Sequence, residues 1–376
     1  MCLTAKNKSA CIREMKKKEN EWNNIKNGLH IDSTDTVVSL CYRHLEYQVS
    51  NNDLKGKSID RRECTIENQI SGYDLGYLQA QQVTPIDIET HVKLLISENK
   101  VGASSIGKVV DVLNAAYEWA IRQGDMQQNP VRLVKTELSK KLKKLSVKGA
   151  DEADVVALSD EEIKLFEREA TELHANGHEK YPAGMYCLLL LHTGMRVGEM
   201  IALRWRDWKG DYLVIEKSVS TAKNRNKKSE DENNYISLEG STKNQKARNI
   251  QLNREAKYIL WKLKHSRESC EQDDLIVPTK TGKMNTASNL EHRMKVIMKN
   301  AGLEDVKGGL HIFRKTFATK MYENGARVEE IAAYIGDLPS TTQKYYIAIR
   351  RKVVADGETH QIVKLPGSKA GEEPVA

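Results

Sequence analysis

The sequence predicts a mainly α-helical protein with a small antiparallel β-sheet confined to its C-terminal domain. Three observations carry this expectation. Between Asp35 and Asn129 apolar residues recur at three- and four-residue spacing, as on the buried face of amphipathic helices. A lysine-rich stretch then interrupts the pattern. Beyond Ser159 helical spacing resumes, but Tyr212-Leu213-Val214-Ile215 and Asn249-Ile250-Gln251-Leu252 read as strands. The 376 residues allow two or three domains.

Taken in order, residues 1–33 are polar and basic, with Lys16, Lys17 and Lys18 in a row, and read as an arm or incomplete element without its own core. A helical domain is expected over 34–134. Val37, Val38, Cys41 and Leu45 mark its first helix. Thr84-Pro85 marks another helix start, because proline's missing N–H costs nothing in a first turn. Ile106, Val109, Val110, Leu113, Tyr117, Ala120 and Ile121 line a third helix that stops at Gly124, and Asn129-Pro130 reads as the loop beyond it. Residues 135–157 read as a basic linker, with Lys135, Lys140, Lys141, Lys143, Lys144 and Lys148 followed by Gly149-Ala150-Asp151-Glu152.

A second domain is expected over 158–350. It opens on Ser159-Asp160-Glu161-Glu162, a capping box in which serine and the third-following glutamate satisfy each other's backbone N–H groups. A helix over about 182–192 ends at Thr193-Gly194, and another begins near Arg196. The polar stretch 221–244 reads as a long hairpin or loop between the two strands. Helical patterns return over Glu255–His265, Ala287–Asn300, His311–Asn324 and Val328–Ile335. Residues 351–376 form a tail whose end, Pro366 to Ala376, reads as disordered.

Composition excludes several function classes. Lys and Arg number 59 against 52 Asp and Glu, for a net charge of +7, and 39% of residues are hydrophobic. That is too apolar for a chain disordered throughout. The longest apolar stretch, Met185–Leu191, is far short of a membrane span, and no apolar segment follows the N-terminal lysines. A soluble, cytoplasmic protein without a membrane partner is expected. Six cysteines without a Cys-x-x-Cys pair read as free thiols. His174 and His178 stand four apart, but no glutamate lies between them and Gly177 argues for a helix end, so no metal is expected there. Gly102-x4-Gly107-Lys108 has the spacing of a phosphate-binding loop. Val109 replaces the needed hydroxyl and no strand precedes it, so it reads as part of a helix.

The residues that suggest chemistry lie in the second half. Thr193-Gly194-Met195-Arg196-Val197-Gly198-Glu199 places an arginine just after a helix-breaking turn. His311-Ile312-Phe313-Arg314 puts an imidazole and a guanidinium on one helical face. Thr242-Lys243-Asn244-Gln245-Lys246-Ala247-Arg248 precedes a strand, and Gly336-Asp337-Leu338-Pro339 leads through Thr341 and Thr342 to Tyr345-Tyr346. Two arginines can grip both free oxygens of a phosphodiester. A lysine can protonate a leaving alkoxide, and a histidine can assist a tyrosine hydroxyl in attack. Each residue has a plainer reading alone: Arg196 in a surface ion pair with Glu199, His311 as a helix-start histidine, Lys243 as a solvated loop lysine, and the tyrosines as rings of the last helix.

In this order and with these neighbours, the residues resemble the tyrosine recombinases, the phage-integrase-like site-specific recombinases. The resemblance rests on Leu191–Leu203, on His311–Thr319 with its His-x-x-Arg and Thr-Phe-Ala-Thr, on Lys243 ahead of the second strand, and on Gly336–Tyr346. It covers about 159–350 strongly and 34–130 weakly. It implies a helical core-binding domain and a mixed α/β catalytic domain forming a C-shaped clamp on duplex DNA. It further implies that Arg196 and Arg314 hold the scissile phosphate, Lys243 protonates the 5′-oxygen, and His311 exchanges protons with the nucleophile. Counting ten from Gly336 makes that nucleophile Tyr346, and counting three from Thr342 makes it Tyr345; the continuation Tyr-Ile-Ala-Ile favours Tyr346. Asp337 stands where the family usually has His or sometimes Trp. As an acceptor only, it is expected to point away from the phosphate, orienting Arg196 or Arg314.

The resemblance implies no cofactor and no metal. Its implied partners are specific double-stranded DNA sites, a homo-tetramer in the synaptic complex from a free monomer, and accessory DNA-bending or directionality proteins. The tail after Arg351 would dock on a neighbour. The leading expectation is integration and excision of a mobile genetic element. The alternatives are an Xer-like resolution recombinase, a type IB topoisomerase-like enzyme, and a DNA-binding relative impaired in catalysis. The stretches 1–18, 135–148, 217–228 and 243–254 hold 21 basic and 2 acidic residues, so the linker and hairpin are where phosphates are expected to be met.

Overall fold

The computed structural model describes residues 35–51, 53–150, 157–225, 235–241 and 247–343. The chain divides into two compact units, Met1–Glu152 with Ala222–Ile236, and Ala153–Thr221 with Ser237–Ala376. The expected arm (1–33) and tail (351–376) lie outside the described residues.

The first unit is helical. α1 (Val37–Ser50) is capped by Thr36, whose hydroxyl accepts from the Ser39 N–H, and buries Val37, Leu40, Cys41, His44 and Leu45. α2 (Gly56–Gln69) and the short α3 (Asp74–Tyr77) follow. α4 (Pro85–Glu98) starts at Thr84 in a reciprocal capping box with Asp87, with Pro85 in its first turn. α5 (Ala103–Gln123) buries Ile106, Val109, Val110, Leu113, Tyr117 and Ala120 against these helices. It contains Lys108, as expected of a residue in a helix and not in a phosphate-binding loop.

Two expectations need correction here. Asn129-Pro130 starts a helix: Asn129 Oδ1 accepts from the N–H groups of Val131 and Arg132 at 2.9 and 3.3 Å, and Pro130 is the first residue of α6 (Pro130–Ala150). Most of the expected linker 135–157 is this same helix, which runs through Ala150. The lysines concealed an apolar stripe of Val131, Val134, Leu138 and Leu142, all buried in the first unit's core, while Lys140, Lys141, Lys143 and Lys144 face solvent.

The second unit is mixed. α7 (Asp160–Ala170) begins at the Ser159–Glu162 capping box. α8 (Gly184–Thr193) buries Met185, Cys187 and Leu188 to Leu191, so it is apolar all round and runs through the core. After α9 (Val197–Ala202) come β1 (Tyr212–Ile215), β2 (Lys217–Lys223), β3 (Tyr235–Ser241) and β4 (Arg248–Gln251). β1 and β4 pair antiparallel with Leu213 opposite Ile250 and Ile215 opposite Arg248. β2 and β3 form a separate two-stranded sheet from what the polarity of 221–244 suggested was hairpin or loop. Residues 222–225, which belong to the first unit, lie on α2: Lys223 Nζ is 3.1 Å from Glu63 and Arg225 Nη2 is 2.7 Å from Asp60.

α10 (Arg254–His265), α11 (Ala287–Asn300), α12 (His311–Glu323) and α13 (Val328–Ile335) complete the unit. Phe313 on α12 packs against Phe166 on α7 with ring centroids 4.9 Å apart. The backbone N–H of Leu158 donates to the Thr316 hydroxyl at 2.9 Å, tying the start of the unit to α12. The fold is thus mainly helical with a small antiparallel sheet in the C-terminal unit, the class expected from the sequence.

Candidate active site

The site begins at a turn. α8 ends on Gly194 at φ +62°, and a Cβ there would lie 2.4 Å from the Phe317 ring, so the tight reversal between α8 and α9 requires glycine. The reversal sets Arg196 as the residue before α9, where Glu199 Oε2 accepts from its backbone N–H at 2.9 Å. Arg196 Nη1 donates to Glu199 Oε1 at 2.9 Å, and Nη2 donates to the Gly336 carbonyl at 2.8 Å and to Asp337 Oδ1 at 2.6 Å. The plainer reading of the Arg196–Glu199 pair as a surface bridge does not hold, because the Glu199 side chain is only 1% exposed.

Glu199 has a second arginine. Arg248, the first residue of β4, donates through Nη2 to Oε2 at 2.6 Å and through Nη1 to Oε1 at 3.0 Å, while its Nε donates to the Tyr334 carbonyl. Arg314, one turn into α12 and 3% exposed, donates through Nη1 to the Gly194 carbonyl at 2.8 Å and through Nη2 to Asp337 Oδ2 at 2.6 Å. Charges therefore alternate along one chain of contacts: Arg248, Glu199, Arg196, Asp337, Arg314. Gly336 makes this possible. It sits at φ +70°, and a Cβ there would lie 2.9 Å from the Arg248 guanidinium.

The protonation states follow from these contacts. Burial works against charge on Glu199, but Arg248 and Arg196 outweigh it and hold the carboxyl below its usual range. Burial likewise opposes charge on Asp337, and Arg314 and Arg196 overcome it. For Arg314, burial and the neighbouring Arg196 lower the pKa against the support of Asp337. His311 is the first residue of α12, exposed at its surface yet partly desolvated by its surroundings. Desolvation first, then Arg314 and Lys315, lowers its pKa. Its imidazole is neutral at pH 7, the state that accepts a proton.

The structure thus brings Arg196, Arg314 and Asp337 into contact and sets His311 one turn before Arg314. Asp337, expected to orient Arg196 or Arg314, accepts from both and lies between them. Lys243, Tyr345 and Tyr346 lie outside the described residues. Sequence reasoning missed Arg248 as part of the site, using it only to locate Lys243. No spacing links positions 199 and 248, and only the β1–β4 pairing delivers Arg248 to Glu199. Among the described residues no three His, Cys, Asp or Glu side chains gather so as to hold a metal ion. Nor is any helix there long and apolar enough to cross a membrane.

Residues 158–351 match the model of the phage integrase family. The chain belongs to that family, the tyrosine recombinases. A XerC-like tyrosine recombinase of Caldanaerobacter subterraneus subsp. tengcongensis is 24% identical over 340 residues, covering 85% of this chain and 81% of the relative. The tyrosine recombinase XerD of Proteus mirabilis is 25% identical, covering 74% of this chain and 79% of the relative. Among solved structures, the Tn1549 transposon integrase in complex with transposon right end DNA superposes with a TM-score of 0.65 at 17% identity, over 85% of this chain and 99% of that one. A lambda integrase tetramer bound to a Holliday junction gives a TM-score of 0.59 at 17% identity, over 90% and 88% of the two chains. This chain is accordingly a site-specific tyrosine recombinase, with the fold of the integrases.

Proposed function

We propose that this recombinase integrates and excises a mobile genetic element, cutting and rejoining duplex DNA at specific sites through a 3′-phosphotyrosine. The observation that carries the site assignment is the convergence of Arg196 and Arg314 on one anionic group, 2.6 Å from each. In the reaction, the two guanidiniums hold the free oxygens of the scissile phosphate and stabilise the charge that develops on them. The Tyr346 hydroxyl attacks phosphorus and passes its proton to neutral His311. The bond to the 5′-oxygen breaks, and Lys243 protonates that oxygen. A 5′-hydroxyl from the partner strand then attacks the phosphotyrosine and reverses the step. The adduct conserves the bond energy.

In this reading the two domains clamp the duplex, four protomers act on two sites from free monomers, and accessory DNA-bending or directionality proteins assist. The enzyme works in the cytoplasm of its host. The test uses nicked duplexes carrying the ends of the element, identified by direct repeats flanking the gene. Wild type and Tyr345→Phe should form a covalent protein–DNA adduct, and Tyr346→Phe should not. Loss of the adduct in Tyr345→Phe alone would move the nucleophile to Tyr345. Asp337 between the arginines favours one competing reading, a DNA-binding protein without catalysis; binding with no adduct from any of these proteins would establish it.

A further inference from the structure

Each oxygen of the Asp337 carboxylate accepts from a different arginine, Arg196 Nη2 on Oδ1 and Arg314 Nη2 on Oδ2, both at 2.6 Å. Neither guanidinium depends on Asp337 for its place. Arg196 is also held by Glu199 and by the Gly336 carbonyl, and Arg314 by the Gly194 carbonyl and its burial. What Asp337 takes is the position between them, where two arginines would grip the free oxygens of a phosphodiester. The contact chain holds three arginines and two carboxylates, a net charge of +1 that would be +2 without Asp337.

We propose that Asp337 is a specificity-determining residue, an internal anion seated between Arg196 and Arg314 that a phosphodiester must displace before both arginines can hold it. The inference rests on the phosphate-binding reading of those arginines. The displacement asks little of the fold. The backbone N–H of Asp337 donates to the Ala332 carbonyl at 2.9 Å and stays anchored while the side chain turns about its Cα–Cβ bond. A free anion has only its own contacts with which to replace the carboxylate. A phosphodiester within a bound duplex draws on contacts made along the whole DNA, so binding energy remote from the reacting centre offsets the displacement. The site thereby rejects stray phosphate and accepts a phosphate held in place by the target DNA.

The test titrates inorganic phosphate into the full-length protein by calorimetry. Asp337→Asn and Asp337→Ser should bind phosphate about tenfold or more tightly than wild type, because the competing charge-assisted hydrogen bonds are gone. Adding Arg196→Ala should abolish that gain. A merely structural role for Asp337 predicts the opposite sign. Equal or weaker binding in both folded variants, with Arg196→Ala still weakening the wild-type site, would overturn the proposal and leave the phosphate site standing. Absence of phosphate binding in every protein would overturn both. Failure of both variants to fold would also overturn it, since arginines held by other partners should not need Asp337.

Discussion

Glu199 carries a negative charge with 1% of its side chain exposed, which is tolerable only because two guanidiniums share it. Desolvating an ion costs several kcal/mol, and a pair repays this only while both members are present. Arg248→Met should therefore destabilise the second unit by about 3–5 kcal/mol in urea unfolding. Replacing Glu199 by Gln in the same protein should recover part of that loss, because it removes a buried charge left with one guanidinium instead of two. The same cluster sets an acid limit. The Glu199 and Asp337 carboxyls lie below their usual range when folded. The stability they add is complete above the unfolded values of about 4 and is lost as pH falls through the depressed folded values. Melting temperature should fall steeply below about pH 4 in wild type and less steeply in the Glu199→Gln, Asp337→Asn double variant. Arg196, His311 and Arg314 were legible in the sequence because each sits beside its own local landmark, a glycine turn or a helix start. Arg248 was not, because its role exists only once a strand pairing has formed.

Elements were legible where one apolar face repeats and a cap marks the end, as for α4, α5 and α7. α2 gave little sign of itself because it buries only Ile59, Thr65 and Ile66 among charged residues. β2 and β3 are polar enough that the sequence left hairpin and loop both open, with Val219 and Ala222 the buried residues of β2. α6 is the instructive case, since a run of lysines hid its buried stripe. Leu138→Ala should cost about 2–5 kcal/mol in denaturant unfolding, as a cavity in the first unit's core does. Exchanging the exposed Lys141 for Gln should change stability by less than about 0.5 kcal/mol. In a linker Leu138→Ala would cost no more than the lysine exchange. α1 contributes a pH response of its own. His44 is buried, stacks on Trp119 with ring centroids 5.7 Å apart, and has its pKa lowered to about 4 by burial, Arg62 and Arg122. The unfolded chain takes up that proton near pH 6.5. Stability of the first unit should therefore be greatest above about pH 6.5 and decline toward pH 4, with His44 contributing up to about 3 kcal/mol, a part of the slope that His44→Gln removes.

For the whole molecule the net charge of +7 says less than the placement of its basic residues. Lys140, Lys141, Lys143 and Lys144 are exposed on a helix packed into the first unit, so their charges sit at defined positions rather than along a flexible tether. Lys223 and Arg225, at the end of β2, already face Asp60 and Glu63. These two groups should behave differently when the protein meets duplex DNA. A lysine that gives its charge to a phosphate releases a counterion, and each such contact adds about 0.9 to the slope of log affinity against log salt. Replacing the four α6 lysines by Gln should lower that slope by up to about 4 if all of them reach phosphates. Replacing Lys223 and Arg225 should lower it by less than their number implies, because they must first leave carboxylates, so part of their charge is exchanged rather than newly neutralised. Binding isotherms of the specific duplex at several salt concentrations separate the two groups. A slope unchanged by the α6 substitutions would show that this helix does not meet the DNA backbone. Equal effects per residue in the two groups would show that the ion pairs with Asp60 and Glu63 do not compete with DNA.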